Sequence, residues 1–304
     1  MPERMATVAW HGVSVTVPAD WSLVGVSGDD KKGYLRIDSP IASALEVRWS
    51  AAQGKAPDLM VKGREFLADL EKSCRKNKIK FDRKIRPDSD DPDTVVFSWR
   101  ADRVGQGFLR HCRKCDRVMI VQMLMDREEK VSHLIPAILS SLRDHRDDDR
   151  TDWGLYGLEF TVPRGYRIDK QSLMSGYLSL SFKHGASTLV VERWALASTL
   201  LASDSLQEWY RKDVVPDIKG YVVQMAEESV RGHSGLRIDG RRRGARQAVK
   251  ALVHSLTLHP HPGLLTGYAW HCTESNRLFA VRATHSEGND AAETVRDSIV
   301  CHAR

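Results

Sequence analysis

The chain repeats itself, and the repeat constrains the fold more than any single motif. Near its start it reads Trp10-His-Gly-Val-Ser-Val-Thr-Val-Pro18, and near its middle Trp153-Gly-Leu-Tyr-Gly-Leu-Glu-Phe-Thr-Val-Pro163. Gly33-Tyr34-Leu35 is matched by Gly176-Tyr177-Leu178, and Leu45-Glu46-Val47-Arg48-Trp49 by Leu189–Trp194. Late in each half stands His-Cys, four residues, then Arg: His111, Cys112 and Arg117, then His271, Cys272 and Arg277. The offsets grow from 143 at the tyrosines to 160 at the His-Cys pairs, so the second copy carries an insertion of about 15 residues. The boundaries read from this are a first domain over 1–146, an acidic linker over 147–152 and a second domain over 153–304, with the insertion near 241–262.

A length of 304 residues suits two domains, each large enough to bury a core. The hydrophobic fraction of 41% and charged fraction of 28% are those of a globular chain. No apolar run is long enough to span a membrane, and Met-Pro-Glu-Arg-Met-Ala-Thr lacks the apolar core of a signal peptide. A cytoplasmic location is the expectation. Five cysteines are too sparse for a disulfide framework and read as reduced thiols. The net charge of +6 divides evenly between the halves and does not by itself imply nucleic acid. Oligomeric state is not encoded in these features.

Strands are expected over 8–17, 34–38, 44–49, 94–99, 107–112 and 117–125, from apolar and aromatic runs bounded by turn residues. A helix is expected after Pro57-Asp58, where Leu59, Phe66, Leu67, Leu70 and Cys74 recur at helical spacing, and another over 131–142. The second half repeats the order, with a helix after Ser203-Asp204-Ser205. Each closing helix ends in Ser-[Leu or Ile]-x-x-His, at Ser141–His145 and Ser298–His302. The expected class is α+β: two tandem domains, each a mainly antiparallel sheet with packed helices in the order β-β-β-α-β-β-β-α. This order, with an apolar strand, Val-Pro and then the aromatic Trp21 or Tyr166, resembles the PsbP/Mog1/DcrB-like group of α/β/α sandwiches. The resemblance covers both halves and implies a binding protein: members include photosystem subunits, a Ran-binding factor and chaperones for secretion effectors. It carries no catalytic motif with it.

The repeated His-Cys-x4-Arg motif offers His111, Arg117, His271 and Arg277 as binding residues, with arginine able to clamp an anion and activate a thiol. The structural alternative is a β-hairpin whose Cys112 and Cys272 are small, inaccessible core residues, with Cys115 more exposed in the turn. Cys112-Arg-Lys-Cys115 is half of a zinc knuckle. The second copy has Ser275 where Cys115 aligns and no further Cys-x2-Cys exists, so no metal site and no cofactor are expected.

Two basic stretches remain. Lys72–Arg86, with Lys76, Lys78 and Lys80, could meet phosphates or form a solvated helix end and loop. Arg241–Leu256, with Arg242, Arg246 and Lys250, patterns as a basic amphipathic helix for an anionic surface or for its own domain. No Walker loop, nucleophile elbow, zinc-protease motif or dinucleotide fingerprint is present, and no catalytic residue is assigned. The leading reading is a non-catalytic binding or adaptor protein for a protein or peptide. The alternatives are a nucleic-acid or anionic-surface binder using 72–86 and 241–250, and a thiol or metal enzyme centred on His-Cys-x4-Arg.

Overall fold

The computed structural model describes residues 4–52, 57–126, 132–243, 262–286 and 291–302. It separates into two compact units, Met1–Asp148 with Asp152–Gly157, and Asp149–Thr151 with Leu158–Arg304.

The first unit runs β1 (Met5–Trp10), β2 (Val13–Pro18), β3 (Ser22–Gly28), β4 (Lys32–Asp38), β5 (Ala44–Ala51), α1 (Leu59–Lys76), β6 (Asp82–Pro87), β7 (Thr94–Arg100), β8 (Val104–Cys112), β9 (Arg117–Met125) and α2 (Ile135–Ser141). Its main sheet has seven antiparallel strands in the order β3-β4-β5-β9-β8-β7-β6. Leu35, Ile37, Leu45, Val47, Val121 and Met123 alternate onto one face and are fully buried. The other face carries Val95, Phe97, Leu109 and Val118, packed with Leu59 and Leu67 of α1. Helix α1 starts where it does because the Asp58 side chain accepts the Val61 amide at 3.0 Å, satisfying an otherwise orphaned donor. Gly63 lets the helix settle: a Cβ there would lie 2.4 Å from Ile85 Cδ1. Strands β1 and β2 form a hairpin, extended where Ala9 faces Gly154.

The second unit contains β11 (Leu158–Pro163), β12 (Arg167–Leu173), β13 (Tyr177–His184), β14 (Ser187–Ala195), α3 (Ala197–Leu200), α4 (Leu206–Trp209), β15 (Tyr221–Val230), β16 (His233–Arg242), β17 (Leu264–Cys272), β18 (Arg277–His285) and α5 (Ala291–Ser298). Strand β10 (Arg150–Leu155) enters the first unit from Asp152 onward. The seven-stranded order β12-β13-β14-β18-β17-β16-β15 repeats that of the first unit strand for strand. In place of a long helix, α3, α4, a π turn over Tyr210–Val214 and a 3-10 turn over Val215–Asp217 cover one face. Trp209, Tyr210, Val214 and Ile218 pack there against Leu236, Ile238 and Leu265.

The expected α+β class with helices packed in each domain does not hold. The described residues are mostly antiparallel β, with three sheets and few helices. Four local differences explain this. The single strands expected over 8–17 and 153–162 are hairpins, because His11-Gly12 and Tyr156-Gly157 adopt positive φ (52° and 84°, 50° and 75°) and reverse the chain. Strands β3 and β12 lack apolar alternation because one side of each is a sheet edge. The basic residues of 82–87, read as loop, form the opposite edge β6 for the same reason. The closing helix shrinks to Ile135–Ser141 with Pro136 in its first turn, where a missing N–H costs nothing.

Candidate functional site

The repeated motif occupies the central hairpin of each main sheet. Cys112 ends β8 opposite Arg117, and Cys272 ends β17 opposite Arg277. Asp116 and Asn276, at the same place in the two turns, both take φ of 50°. His111 is buried, with Nε2 3.0 Å from Asp116 Oδ1. Arg117 donates to the carbonyl of Asp144 at 3.0 Å and to that of His11 at 3.4 Å, so it ties together three segments of its unit. His271 is half-buried, and Arg277 opens β18. Cys272 is fully buried as expected, but Cys112 is half-buried, as is Cys115.

Each hairpin gathers a cluster of four potential metal ligands. In the first unit these are Cys112, Cys115, Asp144 and His145; in the second, His233, Cys272, Cys301 and His302. Within each cluster the four ligand atoms lie within 4.8 Å of one another. Cys115 Sγ is 2.9 Å from Asp144 Oδ2, and Cys112 Sγ is 3.7 Å from His145 Nδ1. Cys272 Sγ and Cys301 Sγ each lie 3.3 Å from His302 Nδ1, and Cys301 Sγ lies 3.3 Å from His233 Nε2. All four thiols are free. Burial, with the Asp144 carboxylate alongside, pushes the Cys115 thiol up. Burial opposes ionisation of Asp144, yet hydrogen bonds from Cys115 and Cys112 hold its carboxyl below the usual range.

The sequence argument against a metal set rested on the missing second Cys-x2-Cys. The residues after the closing helices supply the ligand candidates that pattern lacks. Asp144-His145 and Cys301-His302 are the ends of the repeated Ser-[Leu or Ile]-x-x-His segments, which return to the hairpin. His233 was not singled out at all; it opens β16 after the positive-φ pair Arg231-Gly232.

A buried acid is also repeated. Glu46 accepts from Tyr34 Oη at 3.1 Å, Arg36 Nη1 at 3.3 Å and Gln122 Nε2 at 2.8 Å. Glu192 accepts from Tyr177 Oη at 2.6 Å and from Arg282. Burial, then the adjacent carboxylate, pushes the Tyr177 hydroxyl up to about 12. Both acids are buried and held by several donors, and Glu46 also takes Arg48 Nη2 at 3.5 Å.

The basic residues are dispersed. Lys76 ends α1, Lys78 follows at φ 58°, and Lys80 pairs with Asp82 at 3.7 Å; all three are exposed. Arg75 and Arg83 each meet Glu71 at 3.3 Å. Arg242 ends β16 half-buried, while Arg246 and Lys250 lie outside the described residues.

A groove of about 610 Å³ lies along the first unit between α1 and strands β3–β5. Tyr34, Phe66 and Ile120 give it an apolar lining. Lys32 and Arg48 stand on the sheet side, and Lys62, Glu65 and Asp69 on the helix side. The Arg48 guanidinium lies 5.6 Å from the centre of the Tyr34 ring and is half exposed.

No family model and no curated protein sequence matches the chain. Solved structures with similarity include an immunity protein, TplEi, of the type VI secretion system of Pseudomonas aeruginosa, in complex with an "L" peptide. It is 12% identical, with 97% of each chain covered and a TM-score of 0.33. A second is the Tle4–Tli4 complex, at 12% identity, 97% of this chain, 96% of that chain and a TM-score of 0.34. Similarity of this degree assigns neither fold nor function. Among the described residues, no helix is long and apolar enough to cross a membrane.

Proposed function

We propose that this is a non-catalytic binding protein that recognises an extended segment of a protein partner in the groove along α1. The observation that carries the reading is the groove's paired charge over an apolar lining. Lys32 and Arg48 face it from the sheet, and Glu65 and Asp69, with Lys62 beside them, from the helix. A polypeptide can offer acids to one wall, bases to the other and an apolar side chain to Phe66 and Ile120. A phosphate backbone would meet Glu65 and Asp69 with like charge, which disfavours the nucleic-acid alternative at this site. The commitment of Glu46 to four donors, Tyr34, Arg36, Arg48 and Gln122, supports a binding rather than an acid–base role for the polar residues beneath the groove.

A photo-crosslinking amino acid placed at Lys62, in native extract of the source organism, tests this. The expected result is a discrete protein adduct that is lost when Lys32→Glu is added and is absent when the probe sits at Lys219, in the second unit. No protein adduct at Lys62, or equal adducts at both positions, would overturn it.

A further inference from the structure

We propose that each unit binds one zinc ion as a closed structural centre, through Cys112, Cys115, Asp144 and His145 in the first and His233, Cys272, Cys301 and His302 in the second. Zinc takes four N, S or O ligands tetrahedrally at about 2.0–2.3 Å, which places neighbouring ligand atoms about 3.5 Å apart. Three sulfur–nitrogen separations in the second cluster are 3.3 Å, and Cys112 Sγ lies 3.7 Å from His145 Nδ1 in the first. A hydrogen-bonded pair of polar groups accounts for one such separation; it does not account for four potential ligand atoms gathered within 4.8 Å of one another, twice.

The second argument is that the site persists while its ligands change. Cys112 and Cys272 hold one corner, and His145 and His302 another, at equivalent stations of the repeat. Asp144 gives way to Cys301 immediately before that histidine. Cys115 gives way to Ser275 in the turn, and the missing ligand comes from His233, on a different strand. Two substitutions have occurred and the ligand count is still four.

The surroundings fit each set. His233 directs Nε2 to the cluster, and the Glu274 carboxylate lies 3.6 Å from its Nδ1, too far for a hydrogen bond but close enough to favour the proton on Nδ1. On binding, each centre would release two thiol protons to solvent. The second set, with two thiolates and two neutral imidazoles, would then be neutral around Zn²⁺. The first, with an added carboxylate, would carry one negative charge, and Arg117 donates to the Asp144 carbonyl beside it. Three of the four ligands in the second unit are buried, whereas those of the first are half-buried. The second centre should therefore resist chelators longer. Its role would be to pin the chain after the closing helix to the central hairpin.

The test is elemental analysis of the full chain, purified without a polyhistidine tag and under reducing conditions. Two zinc ions per chain are expected, falling to one in Cys112→Ser and to one in Cys272→Ser, with Cys74→Ser retaining both. Cobalt titration of the chelator-stripped wild-type protein gives an answer if a variant fails to fold. Two equivalents with tetrahedral ligand-field bands and thiolate charge-transfer absorption support the proposal. Metal-free protein with no such spectrum overturns it, as do Cys112–Cys115 and Cys272–Cys301 disulfides that persist in reductant. A single ion lost in Cys272→Ser and retained in Cys112→Ser overturns the paired assignment. Partner binding in the groove is read out separately, so either account can fail alone.

Discussion

Glu192 accepts a hydrogen bond from the guanidinium of Arg282 inside the second main sheet, where the corresponding acid of the first sheet, Glu46, accepts from the neutral amide of Gln122. Gln122 stands opposite Gly107 and Arg282 opposite Gly267, so the two donors occupy the same station. The acid of the second copy thus pairs with a buried guanidinium, whereas that of the first takes a neutral amide at the same station and pairs with the more exposed Arg36 and Arg48.

That difference sets unequal costs for removing the acid. Glu46→Ala leaves Gln122 and Tyr34 without this acceptor, while Arg36 keeps Asp38 and the half-exposed Arg48 reaches water, at about 1–3 kcal/mol. Glu192→Ala leaves a buried cation unpaired, at about 3–5 kcal/mol. Urea unfolding of the two variants should rank them in that order. Equal losses would mean that Arg282 finds another partner or reaches water.

His11 gives a pH dependence. Burial, opposed by Asp30 and Asp29, lowers its pKa from 6.5 to about 4. The imidazole packs 4.9 Å from the Trp10 ring and 5.0 Å from the Trp153 ring. A histidine whose folded pKa is depressed is protonated first in the unfolded chain. Stability therefore falls as pH drops from about 6.5 to about 4, and this contribution is flat above and below that window. The loss at the lower end is on the order of 2–3 kcal/mol. Denaturant midpoints at pH 7.0, 5.5 and 4.5 should show a decline that His11→Asn reduces. Asparagine tolerates the positive φ at this position, so the turn survives the exchange.

Charge reversal in the groove should weaken partner binding without unfolding the protein. Lys32 and Lys62 are exposed, so Lys32→Glu and Lys62→Glu should leave the melting temperature within a degree or two. Each should raise the Kd for the cross-linked partner roughly tenfold, about 1.4 kcal/mol. Titration calorimetry at two salt concentrations measures this, and the loss should shrink as salt rises.

The repeat was legible because duplicated turns and buried aromatics leave matching words in the sequence. The central strands were legible for the same reason: Val118–Leu124 and Leu278–Ala283 bury both faces and read as apolar runs. The edge strands were not. Asp82–Pro87 is solvated on one side and carries three cations, so its pattern is that of a loop. The hairpin reversals at His11-Gly12 and Tyr156-Gly157 depend on positive φ at a non-glycine residue, which the residue types alone signal weakly.

The ligand clusters show a different limit. Half of the first, Cys112 and Cys115, is local in sequence and was recognised; the other half returns after some 30 residues through the strand and the closing helix. The repeated histidines 145 and 302 were visible, but as helix-end residues rather than partners of the cysteines. His233, which meets Cys301 across 68 residues, carries no local signal. The groove charges Lys32, Arg48, Glu65 and Asp69 come from two strands and a helix, and their convergence exists in three dimensions alone.

Amide hydrogen exchange on the complex with the cross-linked partner tests partner recognition along α1 most directly. The account predicts slowed exchange over residues 27–34 and 60–70, which flank the groove, with the second unit unchanged. Protection confined to the edge strands β6 or β15, or to the second unit, would contradict it.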